Sequence, residues 1–447
     1  MSSPSPIRHP DAGSPAVMGR RAWWLVALGI VIPGSAQLLA GSRRLGRFGV
    51  GSTFVLWVLA VVALALYTFW NSAFLTIATN VVALTVIQVG LAFYTVLWVV
   101  LAINTITLVR LVTLAPAVRA AVAVLATAAL VLTAGAAGYG AVVAGSARTL
   151  LTDVFGGGSY AEPIDGRYTV MLLGGDAGAD RIGLRPDSIS VVSIDAETGS
   201  STIIGIPRNL ENTVPFSEGS PLYGPFPDGY NCGNECLISY LYTYGTEHPD
   251  LYPDAVAAGS DPGVEAMRDA VEGVTGLTIQ YYALIDMQGF SQLVDSLGGI
   301  TIDVKSKVLL GKNGENPIGS IPAGVQQMDG ATALWYARSR YNVTDYDRMA
   351  RQRDVQEAIL AQFDPANVLT KFQAVADAGA QVVKTDIPQN MLPRFVELGK
   401  KAKLLPITRL ELVPPLVKTA APDIDAIKAL IADTIAQSGA TASPTPQ

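Results

Sequence analysis

The chain has 447 residues, of which 50% are hydrophobic and only 15% are charged. Soluble domains usually carry about 25% charged residues, so this composition excludes a purely soluble protein. Residues 1–150 contain nine arginines, no lysine and one acidic residue, Asp11, whereas the rest of the chain holds 22 basic and 36 acidic side chains. The acidic balance of that second part excludes nucleic-acid binding, which requires a basic surface.

Three uncharged apolar runs are long enough to span a bilayer, which takes about 20 helical residues. They lie near residues 49–70, 81–109 and 120–143. A fourth run, residues 22–40, is interrupted by Pro33-Gly34-Ser35, where the proline breaks a helix. Arginines flank it on both sides, so the positive-inside rule favours a re-entrant hairpin over a crossing. The alternative is a four-span bundle with an outside N-terminus; both interpretations export the chain after residue 150.

These runs divide the chain into a membrane anchor (residues 1–150), a linker (151–166), an exported domain (167–440) and a disordered tail (441–447). Short apolar runs and helical spacing then predict the order β-β-β-α-β-α-β-α in the exported domain. The strands are predicted at Tyr168–Gly174, Ser188–Ile194, Ser201–Ile206, Ile279–Ile285 and Ile300–Val304, and the helices at Val264–Val274, Met287–Leu297 and Met349–Phe363. This order predicts an α/β fold, a three-layer α/β/α domain with a mixed central sheet.

Two segments of the exported domain fall outside that pattern. Asn209–Asp261 is rich in Gly, Pro and Tyr and is interpreted as an irregular excursion. Val368–Ser438 has helical apolar stripes and is expected to pack on the same core.

Several catalytic classes are excluded by what the sequence lacks. It has no GxxxxGK[ST] loop for nucleoside triphosphates and no HExxH motif. His9 and His248 are the only histidines, so a His-rich zinc site is excluded.

Two acidic residues stand at the ends of predicted neighbouring strands. Asp176 follows the first strand and Asp187 directly precedes the second, so both carboxylates are expected at one edge of the sheet. Two hard oxygen anions suit Mg²⁺, which binds through one or two carboxylates and substrate phosphates. The alternative, which spacing alone favours, is that both are turn or cap residues.

A second group of candidates is basic. Arg338 and Arg340 are two residues apart, a spacing that places both on one face of a strand. Arg348 and Gln352 are one helical turn apart and share a face, with Arg351 adjacent.

Arg208 follows the third predicted strand and completes the set. Guanidinium groups match phosphate oxygens, so five arginines in an acidic domain indicate a phosphate clamp. The alternative is ion pairing with Asp345, Asp347 and Asp354.

Cys232 and Cys236 are the only cysteines, and both lie in the exported excursion. An oxidising compartment favours a disulfide between them. The alternative is a pair of free thiols.

Taken together, six segments resemble the LytR-CpsA-Psr family, in family order over about Tyr168–Leu360. They are VMLLGGDAGADR, LRPDSISVVSID, IGIPRN, YYALIDMQGFSQLVDSLGGITIDV, GVQQMDGATALWYARSRY and DYDRMARQRDV. The resemblance implies a membrane-anchored extracytoplasmic α/β domain that transfers glycopolymers from a polyprenyl-pyrophosphate carrier to peptidoglycan, with Mg²⁺.

The resemblance also implies roles for individual residues. Asp176 and Asp187 match the metal-binding acids, and Arg185 and Arg181 are weaker matches. Arg185 and Arg351 are the candidates for substrate binding. The arginines and glutamine that match the family's catalytic positions are Arg208, Arg338, Arg340, Arg348 and Gln352. The chain departs from the usual pattern at Asn209 and Ser188, and Asn209 is unable to act as an ionised base.

The sequence therefore predicts a membrane-anchored ligase of cell-wall assembly. A polyprenyl-pyrophosphate pyrophosphatase and a non-enzymatic membrane sensor are the alternatives. The polyprenyl chain would need an apolar groove, for which the candidates are Leu293, Val294, Leu297 and Ile359.

Overall fold

The computed structural model of the chain describes residues 7–442 apart from 9, 12, 156–157, 177–184, 213, 233–235, 312–313, 315 and 363–382. It divides into two compact units, with the boundary between Arg148 and Thr149.

The first unit is helical. Its helices are α1 Pro15–Val31, α2 Ser35–Ala40, α3 Arg43–Phe69, α4 Asn71–Ala78, α5 Val81–Val109 and α6, which begins at Pro116 and ends at Phe155 in the second unit. In the described part of the chain, α3, α5 and α6 are the helices long and apolar enough to cross a membrane. They coincide with the three predicted spans. The segment between the first two predicted spans forms helix α4, and residues 151–155 of the predicted linker belong to α6.

The predicted hairpin at residues 22–40 is a helix pair with a break. α1 ends at Val31 and α2 begins at Ser35, because Pro33 is unable to continue the helix and Gly34 takes a φ of 101° that favours glycine. α2 then packs closely on α3: a Cβ added to Gly46 would lie 2.4 Å from the backbone nitrogen of Leu38. Glycine at this position is what allows the two helices to touch.

The second unit is built on a six-stranded mixed sheet. Its strands are β1 Arg167–Asp176, β2 Arg185–Asp195, β3 Ser201–Ile206, β4 Tyr281–Asp286, β9 Val383–Thr385 and β10 Thr408–Glu411, in the order β10-β3-β2-β1-β4-β9. β2 is antiparallel to β1 and β3, as the short turn between β2 and β3 predicts. β4 runs parallel to β1, and β10 parallel to β3.

Helices cover both faces of this sheet, which confirms the three-layer α/β/α architecture. The helices are α7 Leu241–Glu247, α8 Pro262–Thr275, α9 Met287–Leu297, α10 Gly330–Arg338, α11 Asp345–Gln362, α12 Leu392–Ala402 and α13 Ile424–Ala442. Met171 and Leu173 of β1 lie in the core with α7, α8 and α13. Val170, on the opposite face of the same strand, lies in the core with α12.

Two expectations about elements need correction. The predicted strand Ile300–Val304 (β5) forms, but it pairs with β8 Gly324–Met328 outside the central sheet. A further small pair joins β6 Val308–Leu310 and β7 Gly319–Ile321. The first part of the segment predicted to be helical, residues 368–382, lies outside the described residues. The remainder forms the edge strands β9 and β10 as well as the helices α12 and α13.

The excursion 209–261 is pinned to the core at several points. Cys232 and Cys236 form the predicted disulfide, and Cys236 is buried. Ser217, Ser220 and Tyr252 donate hydrogen bonds to the carboxylate of Asp269 on α8. Of the predicted tail, residues 443–447 lie outside the described residues and the rest ends α13.

Candidate active site

The carboxyl ends of four strands meet at one edge of the central sheet. β1, β3, β4 and β10 all run in the same direction, so their last residues lie at this edge together with the first residues of the antiparallel β2. In open α/β sheets this is where ligands bind. Asp187 near the start of β2 and Arg208 just after β3 are therefore brought to one place by the sheet topology.

A β-bulge sets the direction of Asp187. Gly174 pairs with Ser188 and Gly175 pairs with Pro186, so Asp187 is the extra residue on β2. A bulge leaves its residue outside the regular ladder and redirects the side chain. Asp187 thus lies within a strand and caps no helix, which differs from the turn interpretation.

Three of the predicted arginines converge on the carboxylate of Asp187. Arg208 Nη1 donates to Oδ1 at 2.5 Å, and Arg340 Nη2 donates to Oδ2 at 3.3 Å. Arg348 Nη1 lies 3.6 Å from Oδ2, and its Nη2 donates to the backbone oxygen of Asp187 at 3.1 Å. The phosphate-clamp candidates and the metal candidate are therefore one cluster.

Asp345 is a member of this cluster that the sequence analysis considered only as an alternative ion-pair partner. It lies 3.1 Å from Arg208 Nε and 3.0 Å from Arg348 Nη2, and so bridges the two guanidinium groups. It stands in the first turn of α11, where a helix favours acidic residues. The i,i+3 spacing of Asp345 and Arg348 was the available signal; the contact with Arg208 depends on the fold.

Arg338 and Arg340 reach the site from a helix end and not from a strand. Arg338 is the last residue of α10, and Arg340 lies two residues beyond it, where its backbone N–H donates to the oxygen of Gly311. The strand predicted from their spacing is wrong. The side chain of Asp329 accepts a hydrogen bond from the backbone N–H of Thr332 and so caps the start of a helix that continues to Arg338. The Arg338 guanidinium lies over the ring of Trp335, 5.1 Å from its centroid.

The charged cluster opens onto a cavity of about 500 Å³. Its polar lining includes Asp187, Arg338, Arg348 and Gln352. Its apolar lining includes Leu172, Ile285, Phe290, Leu293 and Ile359. Arg348 and Gln352 thus share the helix face that their spacing predicted.

Two of the four residues predicted for an apolar groove line this cavity, Leu293 and Ile359. Val294 is instead fully buried in the core between α9, α10 and α11, and Leu297 is not among the lining residues. One face of α9 therefore places Val294 in the core, and another places Leu293 in the cavity lining.

The other candidate arginines differ in what holds them. Arg185 begins β2 at the same edge, and its guanidinium lies over the ring of Tyr240, 4.8 Å from the centroid. Arg351 donates to the backbone oxygens of Tyr336, Ser339 and Asp347, which tie α11 to α10 and the residue after it. It is only 8% exposed, and it is not among the residues that line the cavity.

The charges of the cluster reinforce one another. Burial raises the pKa of Asp187, but the guanidinium groups of Arg208, Arg348 and Arg340 outweigh it and hold that pKa below its ordinary value. Burial lowers the pKa of Arg348 to about 10, with Asp345 and Asp187 opposing the shift. Both groups are ionised at neutral pH.

The donor set at this edge is compatible with Mg²⁺. Asp176 ends β1 opposite Arg185, so its backbone is at the edge beside Asp187; its side chain lies outside the described residues. Each oxygen of Asp187 has lone-pair capacity beyond its contacts with arginine. Among the described residues no three acidic, histidine or cysteine side chains form a group that could hold a metal ion.

A known protein family matches the part of the chain that contains the candidate site. The LytR_cpsA_psr family model matches residues 158–418, more than half of the chain. The chain belongs to the LytR-CpsA-Psr family. The matched range contains every candidate residue of the site.

The individual relatives LcpA and TagU are less than 30% identical to this chain. The chain is 28% identical over 248 residues to the cell wall biosynthesis protein LcpA of Corynebacterium glutamicum, covering 50% of this chain and 45% of that protein. It is 26% identical over 223 residues to TagU of Halalkalibacterium halodurans, named a polyisoprenyl-teichoic acid–peptidoglycan teichoic acid transferase, covering 49% and 61%. The matches thus span about half of the length of these relatives.

A solved structure of Bacillus subtilis TagV aligns with 63% of this chain and 98% of its own, at 20% identity and a TM-score of 0.43. Family membership rests on the sequence match.

Proposed function

We propose that this protein transfers a phosphorylated glycopolymer from a polyprenyl-pyrophosphate carrier to a hydroxyl of peptidoglycan. The observation that carries the proposal is the cavity, in which the guanidinium groups of Arg338 and Arg348 adjoin an apolar lining. A ligand that matches both parts is amphiphilic, with a phosphate group beside a hydrocarbon chain. The names of LcpA and TagU, a cell wall biosynthesis protein and a teichoic acid transferase, support the same class of substrate.

The reaction is a phosphoryl transfer. The oxygen of the acceptor hydroxyl bonds to the phosphorus that carries the glycan, the bond from that phosphorus to the bridging oxygen breaks, and polyprenyl phosphate and a proton leave. Such reactions depend mainly on positioning and on charge stabilisation. One arginine about 4 Å from a phosphate charge contributes on the order of 4 kcal/mol at an effective dielectric of 20.

The residues of the cluster divide this work. Asp187 and Asp345 orient the guanidinium groups of Arg208 and Arg348, which would neutralise the phosphates. Gln352 has a buried side-chain oxygen with no hydrogen-bond partner among the described residues, and would accept a hydrogen bond from the substrate. The amide side chain of Asn209 does not ionise, so a different group must accept the proton of the acceptor hydroxyl.

We also propose that Asp187 and Asp176 hold Mg²⁺. The ion, when bound, would neutralise charge on the phosphate oxygens. Asp187→Asn should weaken Mg²⁺ binding, measured by calorimetry on the full chain. An unchanged Mg²⁺ affinity would contradict the assignment.

The anchor is proposed to cross the membrane three times, with the second unit outside the cell. The lengths and compositions of α3, α5 and α6 support this, as do the arginines flanking α1 and α2.

A transfer assay tests the proposed function. The full chain is given a polyprenyl-pyrophosphate-linked glycan with and without peptidoglycan, and the products are separated. Glycan attached to peptidoglycan is the expected result. Release of polyprenyl phosphate with water as acceptor would indicate a pyrophosphatase, and no turnover under any condition would indicate a non-enzymatic protein.

A further inference from the structure

Four arginines in the described part of the chain lie over aromatic rings, and they fall into two kinds. Arg268 lies over Tyr282 but also pairs with Asp386 at 2.5 Å. Arg351 lies over Tyr336 but donates its N–H groups to backbone oxygens. In both cases the guanidinium is already held by other groups, so the ring is an accessory contact.

The other two are different: Arg338 lines the cavity, and Arg185 begins β2 at the same edge of the sheet. Arg185 lies over Tyr240, and Arg338 lies over Trp335. Neither guanidinium has an ion pair or a hydrogen bond with any described residue. The aromatic ring is therefore the contact that orients each of them.

This contrast has a physical consequence for phosphate binding. A carboxylate orients a guanidinium but offsets part of its charge and occupies some of its five N–H donors, as Asp187 and Asp345 do for Arg208 and Arg348. An aromatic face attracts the cation through the ring quadrupole and leaves its N–H edge open. Arg185 and Arg338 thus have no acidic partner among the described residues that offsets their charge or occupies their N–H donors.

We propose that Tyr240 and Trp335 are positioning residues that hold Arg185 and Arg338 ready for the phosphates of the substrate. The proposal rests on the proposed function and adds two residues to its site. It also assigns a role to the excursion 209–261, which supplies Tyr240.

The backbone before Tyr240 is held by hydrogen bonds, and Trp335 lies one helical turn from its arginine. Ser239, next to Tyr240, donates its backbone N–H to the oxygen of Arg208 at 3.3 Å, and Ile238 donates to Leu210 at 2.9 Å. Trp335 and Arg338 are three residues apart on α10, where side chains share a face. The segment before Tyr240 is further fixed by the disulfide at Cys236.

The test replaces each ring with and without loss of aromatic character. Tyr240→Leu and Trp335→Leu in the full chain should each raise KM for the polyprenyl-pyrophosphate donor and weaken binding of inorganic pyrophosphate by about 2- to 30-fold, the range of a cation–π contact. Tyr240→Phe and Trp335→Phe should stay close to wild type, because the ring face remains. Tyr244→Leu is the matched control, since Tyr244 lies in the same excursion and contacts Phe226 and His248 without contacting an arginine.

A double-mutant cycle separates orientation from general packing. In an Arg185→Ala background, Tyr240→Leu should add little further loss of pyrophosphate affinity, because its partner is gone. Additive losses, or phenylalanine variants as defective as leucine variants, would overturn the proposal. If Tyr240→Leu does not fold, the Trp335 series with Arg338→Ala decides in the same way.

The outcomes also separate this proposal from the proposed function. Coupling of ring and arginine in pyrophosphate binding, without transfer by the wild-type protein, would retain the positioning role and reject the transferase. Transfer by the wild-type protein with no such coupling would retain the transferase and reject the positioning role of the two rings.

Discussion

At the scale of single residues, the arginines of the cluster differ most in burial. The side chain of Arg348 is 2% exposed and contacts both Asp187 and Asp345. That of Arg340 is 38% exposed, and its one ion pair among the described residues is with Asp187. A buried charge whose partner is removed is costly, but an exposed one is not. The two residues should therefore respond differently to the same substitution.

We expect Arg340→Ala to lower transfer at least ten-fold while the melting temperature stays near that of the wild type. Arg348→Ala should lower transfer and also destabilise the fold, by up to about 3 kcal/mol, because it removes the most buried partner of Asp187 and Asp345 and leaves them only the more exposed Arg208 and Arg340. Arg409→Ala is the control: Arg409 pairs with Asp354 and Glu357 and does not line the cavity. Equal stability of the Arg348 and Arg340 variants would contradict the burial argument.

The depressed pKa of Asp187 makes a second prediction, about pH. A carboxyl group whose pKa is lower in the folded state stabilises the fold above its unfolded pKa of about 3.9, and this contribution is lost as pH falls through the folded value. The difference in unfolding free energy between wild type and Asp187→Asn should therefore be constant from pH 8 to about 5. It should shrink only below about pH 4, and a change near neutral pH would show that another group controls the cluster.

At the scale of elements, the short helix α2 depends on small residues and one buried amide. Gln37 is 1% exposed and donates to the oxygen of Leu101 on α5 at 2.8 Å. On its other side α2 meets α3 at Gly46. The second unit shows the same dependence on context, because β9 and β10 are only three and four residues long and exist as strands by pairing with β4 and β3.

We expect Gly46→Ala to lower the melting temperature of the full chain in detergent, because the added Cβ would overlap the backbone of Leu38. Gly51→Ala in the same helix is the matched control, since a Cβ there meets nothing within 4 Å. In open space Ala favours a helix over Gly by about 0.5–1 kcal/mol, so this control should be neutral or slightly stabilising. A loss of stability in the control equal to that of Gly46→Ala would contradict the close-packing argument.

At the scale of the whole molecule, the arginine distribution predicts which parts are inside the cell. A cysteine placed at Ser42, between α2 and α3, should resist a membrane-impermeant thiol reagent in intact cells, because the flanking arginines favour the cytoplasm. A cysteine at Glu218, an exposed position of the excursion, should react. Labelling at Ser42 would contradict both the re-entrant hairpin and the four-span alternative, because each places Ser42 inside the cell. A cysteine placed before α1 would react only in the four-span alternative.

The sequence by itself determined the features that depend on local pattern. Apolar run length predicted α3, α5 and α6, helical spacing predicted α8, α9 and α11, and the two glycines after α9 marked its end, where Gly298 and Gly299 take φ values of 89° and 87°. The meeting of Asp187 with Arg208 was also within reach, because strand ends define a sheet edge.

Only the tertiary structure decided the features that depend on pairs distant in the chain. Asp345 contacts Arg348 and also Arg208, which lies 137 residues earlier in the chain. Tyr240, which lies under Arg185, comes from an excursion with no regular sequence pattern. β5 has the pattern of a core strand, yet it pairs with β8 outside the central sheet. The spacing of Arg338 and Arg340 fits a strand, yet the cap at Asp329 and the packing of α10 make it a helix end. Local propensity differs by about 1 kcal/mol or less between such alternatives, so contacts made by the folded chain decide among them.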